Sequence, residues 1–318
     1  MNARRIVFAG AALLLLGATA TIFAFQRDMR RARTAVATGS SIIDTIAGPI
    51  EYAVRGEGAP LLTIHGAGGG FDQGLDNVDG LVGKGFRVIA PSRFGYLRTP
   101  VPTDTSPAAQ AEAHAALLHR LGFSRVIVVG VSAGARSALE LAIRHPDRVS
   151  ALVLIVPGTY APTSPVMIEP SRGSELAFFI VNHGGDFAWW AAEKIAPEML
   201  IRFLGVPPDL VSGATPDQRA RVLRIMNSVE PLSMRFAGIN IDSQPALHAL
   251  PLDKIAAPTL VISSRDDLFN TAPAAEYAAS RIAGAKLVIY ETGGHLLVGR
   301  EAETEALVQE FLAAVPKP

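Results

Sequence analysis

Hydrophobic and polar positions alternate in three different ways along the chain. From Ile6 to Phe25 there is no charged residue, and Leu, Ala, Ile and Phe dominate. Beyond it, short apolar runs trade places with longer amphipathic ones. Leu61 to Ile64, Phe86 to Ala90, Arg125 to Val129 and Val149 to Val156 read as buried strands. Ile42 to Val54 reads as two strands around Gly48-Pro49, and Ala108 to Leu121 as a helix closed by Gly122. Ala135 to His145 reads as another helix. After Pro157 the rhythm breaks. Up to about Asp253 the chain carries aromatic and Met residues, scattered prolines and helix-like stretches such as Glu175 to Val181 and Pro216 to Asn227. It then resumes with a strand (Thr259 to Ser263), a helix (Ala272 to Ile282), a strand (Lys286 to Tyr290) and a closing helix (Glu301 to Ala314).

Strands alternating with helices predict an α/β fold with a mainly parallel sheet and helices on both faces. The interruption reads as a helical cap inserted into one domain. The expected organisation is an N-terminal anchor with its basic flank over 1–33, the first part of the core over 34–156, the cap over 157–253 and the second part of the core over 254–318. Thr34 to Ser41, rich in small and polar residues, reads as a linker.

A helix of about 20 apolar residues crosses a bilayer, and the first run has that length. Arg4 and Arg5 precede it; Arg27, Arg30, Arg31 and Arg33 follow it. Ala18-Thr19-Ala20 has the small residues of a signal-peptide cleavage site, but Thr21 to Phe25 continues the apolar run past it. An uncleaved single-pass anchor is therefore expected. Basic residues at both ends leave the side of the membrane open.

Composition narrows the chemistry. The 29 basic and 29 acidic residues balance, so no nucleic-acid partner is expected. Cysteine is absent, which excludes disulfides, thiolate catalysis and zinc–thiolate sites.

The candidate chemistry centres on Gly130-Val131-Ser132-Ala133-Gly134, a G-x-S-x-G between a buried strand and a helix. In that context it reads as a nucleophile elbow, a sharp turn that lifts the serine hydroxyl above the sheet. A serine hydroxyl needs a base to take its proton, and the base needs an orienting acid. Two later strands end in Asp266-Asp267 and in Gly293-Gly294-His295. The order Ser, Asp, His is that of α/β-hydrolases, and all three sites fall at the carboxyl ends of strands, where open parallel sheets bind ligands. His295 is the expected base. Asp267 is the preferred acid, with Asp266 as a loop carboxylate pairing with a residue such as Arg265. Backbone amides of Ala133 and Ala67 are the expected oxyanion donors, the second from the loop His65-Gly66-Ala67-Gly68-Gly69-Gly70. That loop lacks both the Lys-Ser/Thr ending of a phosphate loop and a G-x-G-x-x-G fingerprint, so neither nucleotide nor other cofactor nor metal is expected. Of the other histidines, His65 reads as a support for the oxyanion loop and His145 as a cap or surface residue. His114 and His119 read as solvated; His183 and His248 fall in or near the cap.

These pieces, with Pro91-Ser92-Arg93-Phe94-Gly95-Tyr96, resemble the α/β-hydrolase fold superfamily over Ile42 to Val315. The resemblance implies a Ser132–Asp267–His295 triad and supports Asp267 over Asp266. It implies a serine hydrolase that cleaves an ester, thioester or lactone through an acyl-enzyme on Ser132. The expected partner is a small, apolar acyl substrate, with Phe178, Phe179, Trp189, Trp190 and Met199 walling the pocket. Leu97 departs from the Gly of many relatives and is expected to narrow the entrance. Rival readings are a carbon–carbon bond hydrolase, a cofactor-free perhydrolase or haloperoxidase, and a non-catalytic binding protein. Asp-nucleophile relatives are disfavoured by Ser132. Neither the substrate nor an oligomeric state is legible.

Overall fold

Successive residues of a buried strand face opposite sides of its sheet, and the strand Val126–Val131 shows the consequence. Val126 and Val128 pack into one apolar cluster, Ile127 and Val129 into another on the opposite face. A strand covered on both sides has no polar positions to spare.

The computed structural model describes residues 3–81, 84–163, 179, 185–243 and 247–315. Eight strands form one sheet: β1 (Ser41–Thr45), β2 (Gly48–Arg55), β3 (Ala59–Ile64), β4 (Phe86–Pro91), β5 (Val126–Val131), β6 (Val149–Ile155), β7 (Thr259–Ser264) and β8 (Lys286–Tyr290). Their order is β1-β2-β4-β3-β5-β6-β7-β8. The first two strands pair antiparallel with each other, and β2 pairs antiparallel with β4. From β4 onward every pairing is parallel.

Helices α3 (Pro107–Arg120), α4 (Gly134–Arg144) and α10 (Ala272–Arg281) supply the cluster on one face. The short α2 (Phe71–Asp76) and the closing α11 (Glu301–Ala314) lie over the other face. Between β6 and β7 stand α5 (Asp186–Ile195), α6 (Pro197–Phe203), α7 (Pro208–Gly213), α8 (Pro216–Asn227) and α9 (Phe236–Asp242). They gather around a separate apolar cluster that contains Trp189, Leu200, Val222 and Met226. The expected helix over Glu175 to Val181, Phe178 and His183 lie outside the described residues.

Helix α1 (Ala3–Thr38) differs from the expectation at its end. Thr34 to Thr38 is helical, not a linker, because the last turns of α1 have an apolar face to bury. Met29 and Val36 are 2% and 4% exposed, and Val36 packs with Ala53, Phe71 and Ala90. Phe25 meets Phe187 and Trp190 edge-on, at centroid distances of 5.2 and 5.7 Å. Trp190 Nε1 donates to Asp28 (3.1 Å), and Arg33 pairs with Asp186 (3.1 Å). Upstream of these contacts the apolar part of the helix stands free of the body.

Candidate active site

Ser132 sits directly after β5 with φ at +51°, a left-handed conformation that a non-glycine residue adopts only under constraint. The constraint is close packing. A Cβ on Gly134 would come within 2.4 Å of the Ile64 carbonyl oxygen, so the α4 N-terminus can press against β3 only with glycine there. Neighbouring strands extend the turn: Ser132 N donates to Ile155 O (3.0 Å), and Gly158 N donates to Ser132 O (2.9 Å).

The turns after β7 and β8 bring the other two residues in. His295 Nε2 lies 2.9 Å from Ser132 Oγ, and His295 Nδ1 lies 2.8 Å from Asp267 Oδ2. Asp267 is 4% exposed. Its Oδ1 accepts the Phe269 amide (2.8 Å), and Oδ2 also accepts the Thr271 hydroxyl. Asp266 does not pair with Arg265 as expected. It accepts the amides of Gly293 (3.2 Å) and Gly294 (2.8 Å), while Arg265 pairs with Glu276 and Glu291. Two free N–H groups in the Gly-Gly turn need an acceptor, and Asp266 supplies it.

The loop after β3 is pinned through its amides. Gly66 N donates to Gln73 Oε1 (2.9 Å), Gly68 N to Tyr96 Oη (3.2 Å) and Gly69 N to Gly66 O (3.4 Å). Among the described residues no acceptor meets the Ala67 amide, and Ala67 lines the cavity beside Ser132 and Ala133. Ala133 directly precedes α4, where amides have no intrahelical partner.

His65 lies fully buried beneath this loop. Its Nε2 accepts the Arg93 amide (2.9 Å), so Nδ1 carries the proton toward Gly66 O (2.7 Å). Burial, reinforced by the Arg93 charge, holds this imidazole well below the usual histidine range, and it stays neutral. Arg93 in turn grips Asp242 with both terminal nitrogens (2.8 and 2.6 Å), and the Tyr96 hydroxyl donates to the same carboxylate. One network thus ties the loop after β3 to α9.

Not every expectation fits. His114 is buried, not solvated, with Nε2 at 3.2 Å from Ser137 Oγ, because its face of α3 packs on α4. His119 and His248 are exposed, and His145 pairs with Glu112 (3.0 Å). Leu97 has φ at +51° and packs with Phe71 and Ala90. Among the expected pocket walls, Trp189 lines the cavity, whereas Trp190 turns to α1 and Met199 packs within the helical cluster. Phe179 is exposed and lies outside the lining.

Gly205 and Phe269 carried no readable signal in the sequence. The Gly205 carbonyl accepts the amides of both Leu268 and His295, each at 3.1 Å. The Phe269 ring stacks edge-on against His295 at 4.6 Å. Above Ser132 opens a cavity of about 1000 Å³, walled by Val131, Val156, Trp189, Leu204, Leu232 and Phe269 among others. A cavity that size, mostly apolar with a few polar groups, suits a small organic ligand.

A family model described as "Alpha/beta hydrolase family" matches residues 61–310. The uncharacterized hydrolase YcgS of Bacillus subtilis (strain 168) is 28% identical, over 83% of this chain and 95% of its own. A 2-hydroxy-6-oxononadienedioate/2-hydroxy-6-oxononatrienedioate hydrolase of Paraburkholderia xenovorans (strain LB400) is 30% identical, over 83% of this chain and 90% of its own. An alpha/beta hydrolase fold protein from Nakamurella multipartita superposes with a TM-score of 0.71 at 28% identity, over 86% of this chain and 98% of that one.

Proposed function

For this chain, which belongs to the alpha/beta hydrolase family, we propose hydrolysis of a carboxylic ester, thioester or lactone through an acyl-enzyme on Ser132. The observation that carries this reading is the continuous relay from Ser132 Oγ to His295 Nε2 (2.9 Å) and from His295 Nδ1 to Asp267 (2.8 Å). As Oγ bonds to the substrate carbonyl carbon, His295 Nε2 takes its proton, and Asp267 stabilises the resulting imidazolium. The carbonyl oxygen becomes an oxyanion held by the amides of Ala67 and Ala133. Removing one such donor typically costs about 3–4 kcal/mol of barrier. Collapse of the tetrahedral intermediate expels the alcohol or thiol, which takes the proton from His295. Water, deprotonated by His295, then attacks the acyl carbon and returns Ser132.

The apolar lining favours an apolar acyl group. The helices between β6 and β7 act as a cap, and α1 as an N-terminal anchor that holds the body at a membrane. The span Gly10–Thr38 has the length and composition for that role.

A second reading, a carbon–carbon bond hydrolase, has its own support: a relative 30% identical is named as a 2-hydroxy-6-oxononadienedioate/2-hydroxy-6-oxononatrienedioate hydrolase. The two readings separate by substrate. Fluorophosphonate labelling of Ser132, lost in Ser132→Ala, is expected under the ester reading, with turnover across a 4-nitrophenyl ester series from acetate to decanoate. Negligible ester turnover beside rapid loss of the dienol absorbance of that relative's substrate would favour the second. No labelling of folded protein would sink the ester reading and favour a binding role.

A further inference from the structure

Among the described residues five guanidinium groups stand in or behind the cavity wall: Arg224 is exposed to water, and three of the other four meet carboxylates. Arg93 binds Asp242 through both terminal nitrogens (2.8 and 2.6 Å), Arg235 binds Asp72, and Arg221 approaches Glu301 (3.4 Å). Arg136 differs. Its Nε donates to Gly158 O (2.9 Å) and one terminal nitrogen donates to the main-chain carbonyl of Asp242 (3.0 Å), both neutral acceptors. A guanidinium has five N–H donors. Among the described residues nothing accepts from the rest, and no carboxylate makes an ion pair with Arg136.

The local charge count reinforces the contrast. The Asp242 carboxylate is already spent on Arg93 and on the Tyr96 hydroxyl, so one negative charge faces two guanidinia. Burial works against Arg93, but Asp242 more than offsets it and holds that group above its ordinary value. Burial pulls Arg136 below its ordinary value, with Asp242 offsetting only part. It remains a cation nonetheless. A cation removed from water without a partner is costly, and an incoming anion would relieve that cost.

Arg136 also stands in the right place. It lies in the first turn of α4, four residues after Ser132 in the chain. Its Nε partner, Gly158, donates its own amide to Ser132 O (2.9 Å). Arg136, Gly158, Ser132 and His295 line the same cavity, whose lining is mostly apolar and also includes Asp76, Asp79, Glu301 and Glu305.

We propose that Arg136 is the anion-recognition residue of this cavity, selecting acyl substrates that carry a carboxylate a few atoms from the scissile carbonyl. The proposal deepens the Ser132 hydrolase reading and rests on it for the turnover arm of its test.

That arm compares 4-nitrophenyl hemiglutarate with 4-nitrophenyl 5-methylhexanoate, in which an isopropyl group replaces the carboxylate. Wild-type protein should favour the hemiester in kcat/KM by about 10-fold or more, the usual worth of a charge-assisted hydrogen bond. In Arg136→Met that preference should fall by about 10- to 100-fold, mostly through KM, and Arg136→Lys should recover part of it. A wild-type preference for the neutral ester, or an equal loss on both substrates in Arg136→Met, would overturn the proposal. If Arg136→Met fails to fold, the wild-type ratio decides. A second arm needs no turnover: glutarate should raise the melting temperature of Ser132→Ala protein and leave Arg136→Lys less stabilised. Glutarate-dependent stabilisation without fluorophosphonate labelling would uphold the anion site while sinking the hydrolase reading. Labelling without stabilisation or hemiester preference would do the reverse.

Discussion

Asp266 and Asp267 are neighbours in the chain but hold different parts of the site. Asp267 accepts from the His295 ring (2.8 Å), and Asp266 accepts from the Gly293 and Gly294 amides that precede that histidine. One carboxylate orients the ring; the other shapes the turn that delivers it. Asp267→Asn should therefore lower kcat on a 4-nitrophenyl ester by about 10⁴-fold, the loss expected when the histidine is left in the wrong tautomer. Asp266→Asn keeps one acceptor oxygen and should cost about 10-fold or less, as a positioning effect on the loop. Equal losses from the two substitutions would contradict the division of labour.

Gly205 ties the helices between β6 and β7 to the same turn. Its φ is +79°, and a Cβ there would lie 2.4 Å from the Phe269 ring and 2.7 Å from His295 Cβ. Gly205→Ala should displace His295 and lower kcat by about 10- to 100-fold, at an overpacking cost of about 1–3 kcal/mol in stability. The check is kcat together with a urea midpoint: normal kcat in a folded variant would show that the loop tolerates the shift.

The end of α1 belongs to the body. Removing residues 2–23 should leave a folded enzyme, because Phe25, Asp28, Met29, Arg33 and Val36 keep their partners. Removing residues 2–38 uncovers Phe71 and Trp190 and should lower the melting temperature by about 5 °C or more, since losing one or two kcal/mol shifts a domain this size by several degrees. Identical melting temperatures for the two truncations would show that the dock contributes nothing.

Much of this architecture was legible in advance, and the failures have physical causes. Ser132, Asp267 and His295 were readable because each closes an apolar strand at the same sheet edge, a pattern that survives without knowing side-chain directions. The end of α1 is not legible because Thr34 to Thr38 has linker composition; only packing of Val36 against Phe71 and Ala90 makes it helical. The burial of His114 escapes the sequence for a related reason. Five residues apart on α3 stand a buried and an exposed histidine, and which face meets α4 is a tertiary fact. Gly205 and Arg136 act through close approaches between segments far apart in the chain, for which no local spacing exists.

His114 gives the fold an acid sensitivity. Burial pulls its imidazole from 6.5 down to about 3, so it folds as the neutral form. The stability this contributes is complete above the unfolded value of 6.5 and is lost as pH falls from there toward about 3, because the unfolded chain binds the proton first. Buried, neutral His65 acts in the same direction. The urea midpoint of wild-type protein should fall between pH 7.5 and pH 4.5, and His114→Gln should fall by less. Parallel declines would assign the acid sensitivity elsewhere.

The central claim is the covalent intermediate on Ser132. Acid-quenching the protein with 4-nitrophenyl butyrate within the first turnovers, then measuring intact and peptide masses, tests it most directly. The expected result is a butyryl adduct on the peptide that contains Ser132, absent from Ser132→Ala protein together with turnover. Ester turnover that persists in Ser132→Ala protein, with no adduct in the wild type, would contradict it.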